Sequence, residues 1–290
     1  MGKGISHSIS PAIHGAAFKK LGTNASYSLF DTDESKFDSV ILELSKAEGT
    51  KGFNVTAPYK TRIMAHLERC NSLARLICAV NTVSVAKDGG LIGFNTDYDG
   101  IVLSLEKLGF RKHKPNRKRT LNAVILGAGG ASRACVYALG SFGFRSIMLF
   151  NRTFKKAKEI ATYFGKILPE LEIGAQRFED NGKLPQNSLS ECDLLISAIA
   201  TPSRKSYPLE INFDSAPGGM AVFDLTYALP STPLLKLASE RRKDLRLLDG
   251  VPMLVEQAAK SLEIWFRMKA PRRIMMAAAR RALNERELND

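Results

Sequence analysis

The sequence predicts an α/β protein of two domains: a small α/β domain, then a doubly wound parallel sheet, with C-terminal helices returning to the first. Three observations predict it. Strand-like and helical patterns alternate over residues 1–100, residues 121–248 repeat an apolar strand–helix unit, and residues 251–290 read as helices with no strand of their own. A chain of 290 residues is long enough for each domain to bury its own core.

In chain order, Ser10 can cap a helix that has Pro11 in its first turn and Gly22 as its stop. "SYSLFDT" reads as a strand, Ser35 to Ala47 as a helix, and "GFNVT" as a short strand. A helical segment follows Pro58, and "AVNTVSVAKDGGLIGFNTD" is a hairpin turning at Lys87-Asp88-Gly89-Gly90. The amphipathic "YDGIVLSLEKLG" then runs to a stop at Gly109. Beyond a basic stretch, "TLNAVILGAGG" is an apolar strand entering glycines, "ASRACVYALGSFG" a helix, "SIMLFNRT" a strand and "FKKAKEIATYFG" a helix. "DLLISAIA" and "GGMAVFDLTY" are buried strands, and "TPLLKLASERR" with "LRLLDG" completes the series. The expected boundaries are 1–100 for a substrate-binding catalytic domain, 101–250 for a cofactor domain and 251–290 for the returning helices.

The totals exclude several classes. Apolar residues at 44% and charged residues at 24% describe an ordinary globular chain. No apolar run reaches the roughly 18–20 residues of a membrane helix, and the polar N-terminus does not read as a signal peptide. The four cysteines form no Cys-x-x-Cys pair and are expected as buried free thiols in a reducing cytoplasm. The four histidines are scattered, so no metal site is expected. The net charge of +13 concentrates in Arg111 to Arg119 and in the C-terminal helices. The first stretch contains Pro115 and no aromatic residue to stack on bases, so it reads as a solvated loop and not a nucleic-acid grip.

Two groups of residues carry chemistry. Gly127, Gly129 and Gly130 stand where an apolar strand meets a helix, the context of a Rossmann-type dinucleotide site, with Ser132 at the third fingerprint position. The next strand ends in Asn151-Arg152-Thr153 with Lys156 a turn further, and no carboxylate for a ribose hydroxyl. Arg152 and Lys156 suit a 2′-phosphate, so the expected cofactor is NADP. In the first domain Asn54 and Thr56 lie on one face of a strand, Lys60 follows, Asn81 sits in an apolar setting, and Asn95 and Asp97 lie where a strand meets a helix.

Together, "SHSISPAIH", "NVTAPYK", "AVNT", "NTD", "GAGGASRA", "NRT", "FDLTYALPSTPLL" and "GVPMLVEQAA" resemble, in order and over nearly the whole chain, the shikimate dehydrogenase family. The resemblance implies reversible, NADP-dependent hydride transfer between shikimate and 3-dehydroshikimate in aromatic amino-acid biosynthesis. It implies Lys60 and Asp97 as the catalytic pair, and Ser8 and Ser10 as the clasp for the substrate carboxylate. Asn54, Thr56, Asn81 and Gln257 fall around the ring hydroxyls, and Tyr227 lines the cleft. Gly127, Gly129, Gly130, Ala131, Asn151, Arg152, Thr153, Lys156, Gly250 and Met253 fall on the cofactor side. A small-molecule substrate, no nucleic acid, no membrane, a cytoplasmic location and a monomer or homodimer go with that reading.

The chain departs from the family's pattern at four places. Ser197, Ala198 and Ile199 replace a polar stretch, Cys78 stands where a Gly is frequent, and the loop at 111–119 is long. The family also places a β-strand before the "GISHSISP" loop, so the expectation is a coding start assigned slightly late. Alternative readings are a quinate or dual quinate/shikimate dehydrogenase, and a non-catalytic sensor of the same ligand.

Overall fold

The structure is a computed structural model that describes residues 1–112, 120–179, 182–199, 207–228 and 231–287. It divides into two compact units, Met1–Gly100 with Pro252–Asp290, and Ile101–Val251. The polypeptide passes between them inside one helix and at the start of another.

The first unit opens on α1 (Ser10–Leu21), whose Gly22 stop adopts φ 63° as the αL cap. Ser10 lies inside the helix instead of capping it: its own N–H donates to Ser8 Oγ at 3.2 Å, and Ile9 occupies the cap position without a side-chain bond. A 3₁₀ turn and α2 (Phe37–Lys46) follow, burying Phe37, Ile41 and Leu44 on one stripe. The sheet consists of β1 (Gly52–Asn54), β2 (Arg69–Cys70), β3 (Thr82–Val85) and β4 (Leu91–Phe94), in the order β1-β3-β4-β2. β3 and β4 form the expected antiparallel hairpin, and β2 lies parallel to β4. The helical segment after Pro58 is a 3₁₀ turn at Arg62–His66, with α3 (Ser72–Ile77) beyond β2.

"SYSLFDT" is not a strand. Among the described residues its one bridge is Gly2↔Asp31, to the Met1–Lys3 segment. That segment is held by Gly2 N–H to Phe30 O, Lys3 N–H to Ala57 O and Thr56 N–H to Met1 O. α4 (Asp97–Lys107) leaves the hairpin, and α8 (Val251–Phe266) and α9 (Arg272–Glu287) return to this unit. Met275, Ala279 and Leu283 make a buried i, i+4, i+8 stripe on α9, which packs on α1.

The second unit is a six-stranded, wholly parallel sheet: β5 (Leu121–Leu126), β6 (Phe144–Phe150), β7 (Glu172–Gln176), β8 (Leu194–Ser197), β9 (Ala221–Asp224) and β10 (Arg246–Leu248). Its order, β10-β9-β8-β5-β6-β7, is that of the doubly wound dinucleotide fold. α5 (Gly130–Ser141), α6 (Phe154–Ile167) and α7 (Pro233–Arg241) cross between strands. β7 escapes a reading by apolar run: only Ile173 and Ala175 alternate with polar residues, as expected of an edge strand. The core joins Val124, Leu126, Phe150, Leu195, Val222 and Leu234, all under a tenth exposed.

The four cysteines are free as expected, but only Cys135 and Cys192 are buried; Cys70 and Cys78 are half-buried. Cys78 caps α3 in the αL conformation at φ 55°, where glycine costs least, which explains why a Gly suits this place. Among the described residues no group of histidine, cysteine and carboxylate side chains could hold a metal ion, and no helix is long and apolar enough to cross a membrane.

Candidate active site

Three turns of chain in the first unit bring its polar residues together. β1 ends in Asn54, and the turn that follows delivers Lys60. Asn81 stands just before β3 and Thr82 begins it, Thr96 follows β4, and Asp97 opens α4. Negative charge is favoured in a first helical turn, which suits Asp97 there. Asn95 fixes this corner: its Nδ2 donates to Ala79 O at 2.9 Å and its Oδ1 accepts from Tyr98 N–H at 3.2 Å. α8 then presents Gln257 and Ser261, four residues apart and so on one face.

At the centre Lys60 Nζ donates to Asp97 Oδ2 at 2.6 Å, with side chains only 14% and 5% exposed. A buried carboxylate needs its remaining lone pairs satisfied, and Asn81 Nδ2 donates to Asp97 Oδ1 at 3.0 Å. Asn81 also reaches Thr96 Oγ1 at 2.9 Å and Gln257 Oε1 at 3.3 Å, while its own Oδ1 accepts Thr96 N–H at 2.7 Å. Asn54 Nδ2 faces Asn81 O, Thr82 Oγ1 and Ser261 Oγ at 3.2, 3.0 and 2.9 Å. Thr82 and Ser261 share a bond of 2.8 Å and Thr82 and Thr96 one of 3.0 Å. Asp97 is thus held by Lys60 and Asn81, and Asn81 ties the pair to the rest of the polar network.

Of the residues singled out by sequence, Lys60, Asn81, Asp97 and Gln257 meet directly, and Asn54 joins them through the Asn81 carbonyl, Thr82 and Ser261. Ser8 and Ser10 are bonded to each other at 3.1 Å at the start of α1. Thr56 is exposed, and its hydroxyl bonds nothing among the described residues. Met253 belongs to this unit: it is buried, and a Cβ on Gly100 would lie 2.6 Å from its carbonyl oxygen. Thr82, Thr96 and Ser261 were missed; each sits next to, or one helical turn from, a residue that was singled out.

The second unit holds the other group. Gly127 has φ +105°, and a Cβ there would come within 3.0 Å of Ala198 O, so glycine is required at this turn. Around Gly129 a Cβ would meet nothing within 4 Å, leaving backbone open at the start of α5. Ser132 at the third fingerprint position is buried, and its Oγ accepts the Gly129 N–H at 3.2 Å, so the serine folds the loop. Ala131 follows in the first turn of α5, at the helix end that favours an anion. Asn151 Nδ2 donates to Thr153 O at 2.9 Å and shapes the entry to α6, whose first turn has no acidic residue. Arg152, Thr153 and Lys156 are exposed, and neither cation joins an ion pair among the described residues. An open glycine turn, a helix N-terminus and two exposed cations fit an anionic dinucleotide carrying a 2′-phosphate. Gly250 packs against Leu225 O, and Tyr227 is half-buried just beyond β9. Ser197, which replaces a polar residue, gains a partner in the Tyr207 hydroxyl at 2.9 Å.

A doubly wound dinucleotide unit joined to a unit bearing a buried Lys–Asp pair defines a two-domain, pyridine-nucleotide-dependent oxidoreductase. Residues 1–83 match the family model described as shikimate dehydrogenase substrate binding domain, 110–214 that of shikimate / quinate 5-dehydrogenase, and 250–280 that of shikimate 5′-dehydrogenase C-terminal domain. A shikimate dehydrogenase (NADP(+)) of Symbiobacterium thermophilum is 35% identical over 286 residues, 98% of this chain and 93% of its own. The crystal structure of Thermus thermophilus shikimate 5-dehydrogenase in complex with NADP(H) and shikimate has a TM-score of 0.78 at 32% identity, over 97% of each chain. The ligand-free 5-ketofructose reductase of a Gluconobacter species has a TM-score of 0.77 at 29% identity, over 97% of this chain and 96% of its own. The chain belongs to the shikimate dehydrogenase family.

Proposed function

We propose that this protein catalyses the reversible, NADP-dependent oxidation of shikimate to 3-dehydroshikimate. The observation that carries the reading is the Lys60–Asp97 pair, bonded at 2.6 Å and fixed by Asn81. The bound nicotinamide supplies the hydride acceptor for oxidation and the hydride donor for reduction. In the reductive direction the Lys60 ammonium donates a hydrogen bond to the substrate carbonyl oxygen and gives it a proton as the alkoxide develops. Asp97 keeps the ammonium aimed. In the oxidative direction the neutral Lys60 amine takes the hydroxyl proton, by microscopic reversibility. Asn54, Asn81 and Gln257 hold ring hydroxyls, and Ser8 with Ser10 receives the carboxylate at the N-terminus of α1, where negative charge is favoured.

Arg152 and Lys156 would hold the 2′-phosphate of NADP, and the Gly127–Ala131 turn its pyrophosphate. Thr56, Tyr227, Gly250 and Met253 complete the two binding sides in this reading. In this reading the protein acts as a monomer or a homodimer. The four free thiols fit a reducing cytoplasm.

The test is a spectrophotometric assay of NADPH formation with shikimate, run beside quinate, and of NADPH consumption with 5-ketofructose. NADP-linked shikimate oxidation well above the other two is expected. A greater rate on quinate or 5-ketofructose would replace the substrate, and no rate on any of them would replace catalysis by ligand sensing.

A further inference from the structure

Tyr27 lies in the extended stretch between α1 and α2 and belongs to no motif. Its ring stacks on His14 of α1 with centroids 4.3 Å apart and planes 3° from parallel, and Trp265 of α8 closes the same aromatic cluster at 6.4 Å. His14 is fully buried, and neither of its ring nitrogens has a hydrogen-bond partner among the described residues. Burial lowers its pKa from 6.5 to about 3, so the stacked ring is neutral. The stack therefore fixes the plane of Tyr27 without placing charge against it.

That plane aims the phenol at Asn54. The Tyr27 hydroxyl donates to Asn54 Oδ1 at 2.9 Å. The Asn54 amide nitrogen already faces Asn81 O, Thr82 Oγ1 and Ser261 Oγ, so its oxygen is left toward Tyr27. His14, on which the ring stacks, lies one helical turn beyond Ser10 on α1, and Ser10 is bonded to Ser8 at 3.1 Å. One side chain thus stands between the helix start that bears the serine pair and the network around Lys60 and Asp97.

We propose that Tyr27 is a positioning residue for substrate affinity: its ring, stacked on α1, and its hydroxyl, bonded to Asn54, set the separation between the Ser8–Ser10 carboxylate clasp and the Asn54 side of the ring site. A substrate with a carboxylate at one end and hydroxyls at the other needs both ends satisfied at once, so a fixed separation enters its affinity directly. The inference rests on the proposed substrate and goes beyond it in naming a residue that touches no substrate atom.

The experiment is titration of the full chain with shikimate, without and with NADP, read by the fluorescence of Trp265, the one tryptophan of the chain, and by steady-state rates. Tyr27→Phe keeps the ring stack, removes the hydrogen bond to Asn54 and leaves the Asn54 Oδ1 without that donor. The expected result is shikimate Kd and KM raised roughly tenfold, with kcat and the KM for NADP within about twofold and an unchanged far-UV spectrum. In a cycle with Asn54→Ala, the double variant is expected to bind shikimate no more weakly than Asn54→Ala alone. Additive losses, or a Tyr27→Phe affinity equal to wild type, overturn the inference while leaving the proposed activity standing. A wild type that neither binds nor oxidises shikimate overturns the substrate reading and this inference with it. If Tyr27→Phe does not fold, Tyr27→Met is titrated in its place against the same expectation.

Discussion

The two units build their sites in opposite ways. In the first, side chains from β1, the hairpin, α4 and α8 bond one another, so that Lys60, Asn81, Asp97 and Gln257 are fixed before any ligand arrives. In the second, the groups suited to a cofactor are open backbone around Gly129 and exposed cations at Arg152 and Lys156. The difference teaches where each unit is vulnerable. A closed network fails when one member is removed, because its partners are left buried and unpaired. An open, cation-flanked turn loses affinity piecemeal.

The widest break in the comparison comes from Lys60→Ala. General acid–base groups contribute roughly 10²–10⁴-fold, and kcat for shikimate oxidation is expected to fall by about a thousandfold with KM changed only a few-fold. A loss confined to a few-fold would remove Lys60 from the chemistry. Arg152→Asp tests the open side. Reversing a charge that faces a 2′-phosphate is expected to raise the KM for NADP about 30-fold, near 2 kcal/mol, with NAD-linked activity little changed. Equal losses with both cofactors would count against the phosphate contact.

A smaller effect sharpens the contrast within the first unit. Buried His14 stays neutral in the fold with a pKa of about 3, whereas in the unfolded chain it takes up a proton below about 6.5. Protons bound only by the unfolded state destabilise the fold, so stability falls as pH is lowered from 6.5 toward 3. This one group contributes a slope of up to about 1.4 kcal/mol per pH unit. His14→Phe, which keeps the stack on Tyr27, is expected to flatten the denaturation profile over that window by this amount. Superimposable profiles would place the acid sensitivity elsewhere. The smallest effect is Cys78→Gly at the αL cap of α3, expected to raise stability by about 0.5–1 kcal/mol in thermal or urea unfolding.

The same contrast governs what could be read from the sequence. The strand–glycine–helix turn at Leu121–Ser141 is local, and an apolar run, three glycines and a helical stretch name it without any distant contact. Arg152 and Lys156 are legible for the same reason, lying within one turn of each other. The first unit's network joins residues from Tyr27 to Ser261, so no window of sequence holds it, and only the resemblance brought Lys60, Asn81, Asp97 and Gln257 together. Thr82, Thr96, Ser261 and Tyr27 were invisible even so, since a hydroxyl on a strand or helix has no sequence signature apart from its partner. Two local readings failed for want of tertiary information. "SYSLFDT" has strand composition but a single bridging neighbour, and Ser10 has capping chemistry but lies one residue inside α1. β7 was missed because an edge strand needs little apolar content.

The central claim is that Lys60 and Asp97 act as one unit. A double-mutant cycle on kcat for shikimate oxidation, with Lys60→Ala, Asp97→Asn and the pair together, tests it most directly. Each single variant is expected to lose roughly 10²–10⁴-fold, and the double variant to be no slower than the slower single one. Losses that multiply in the double variant would mean two independent groups and would contradict the account.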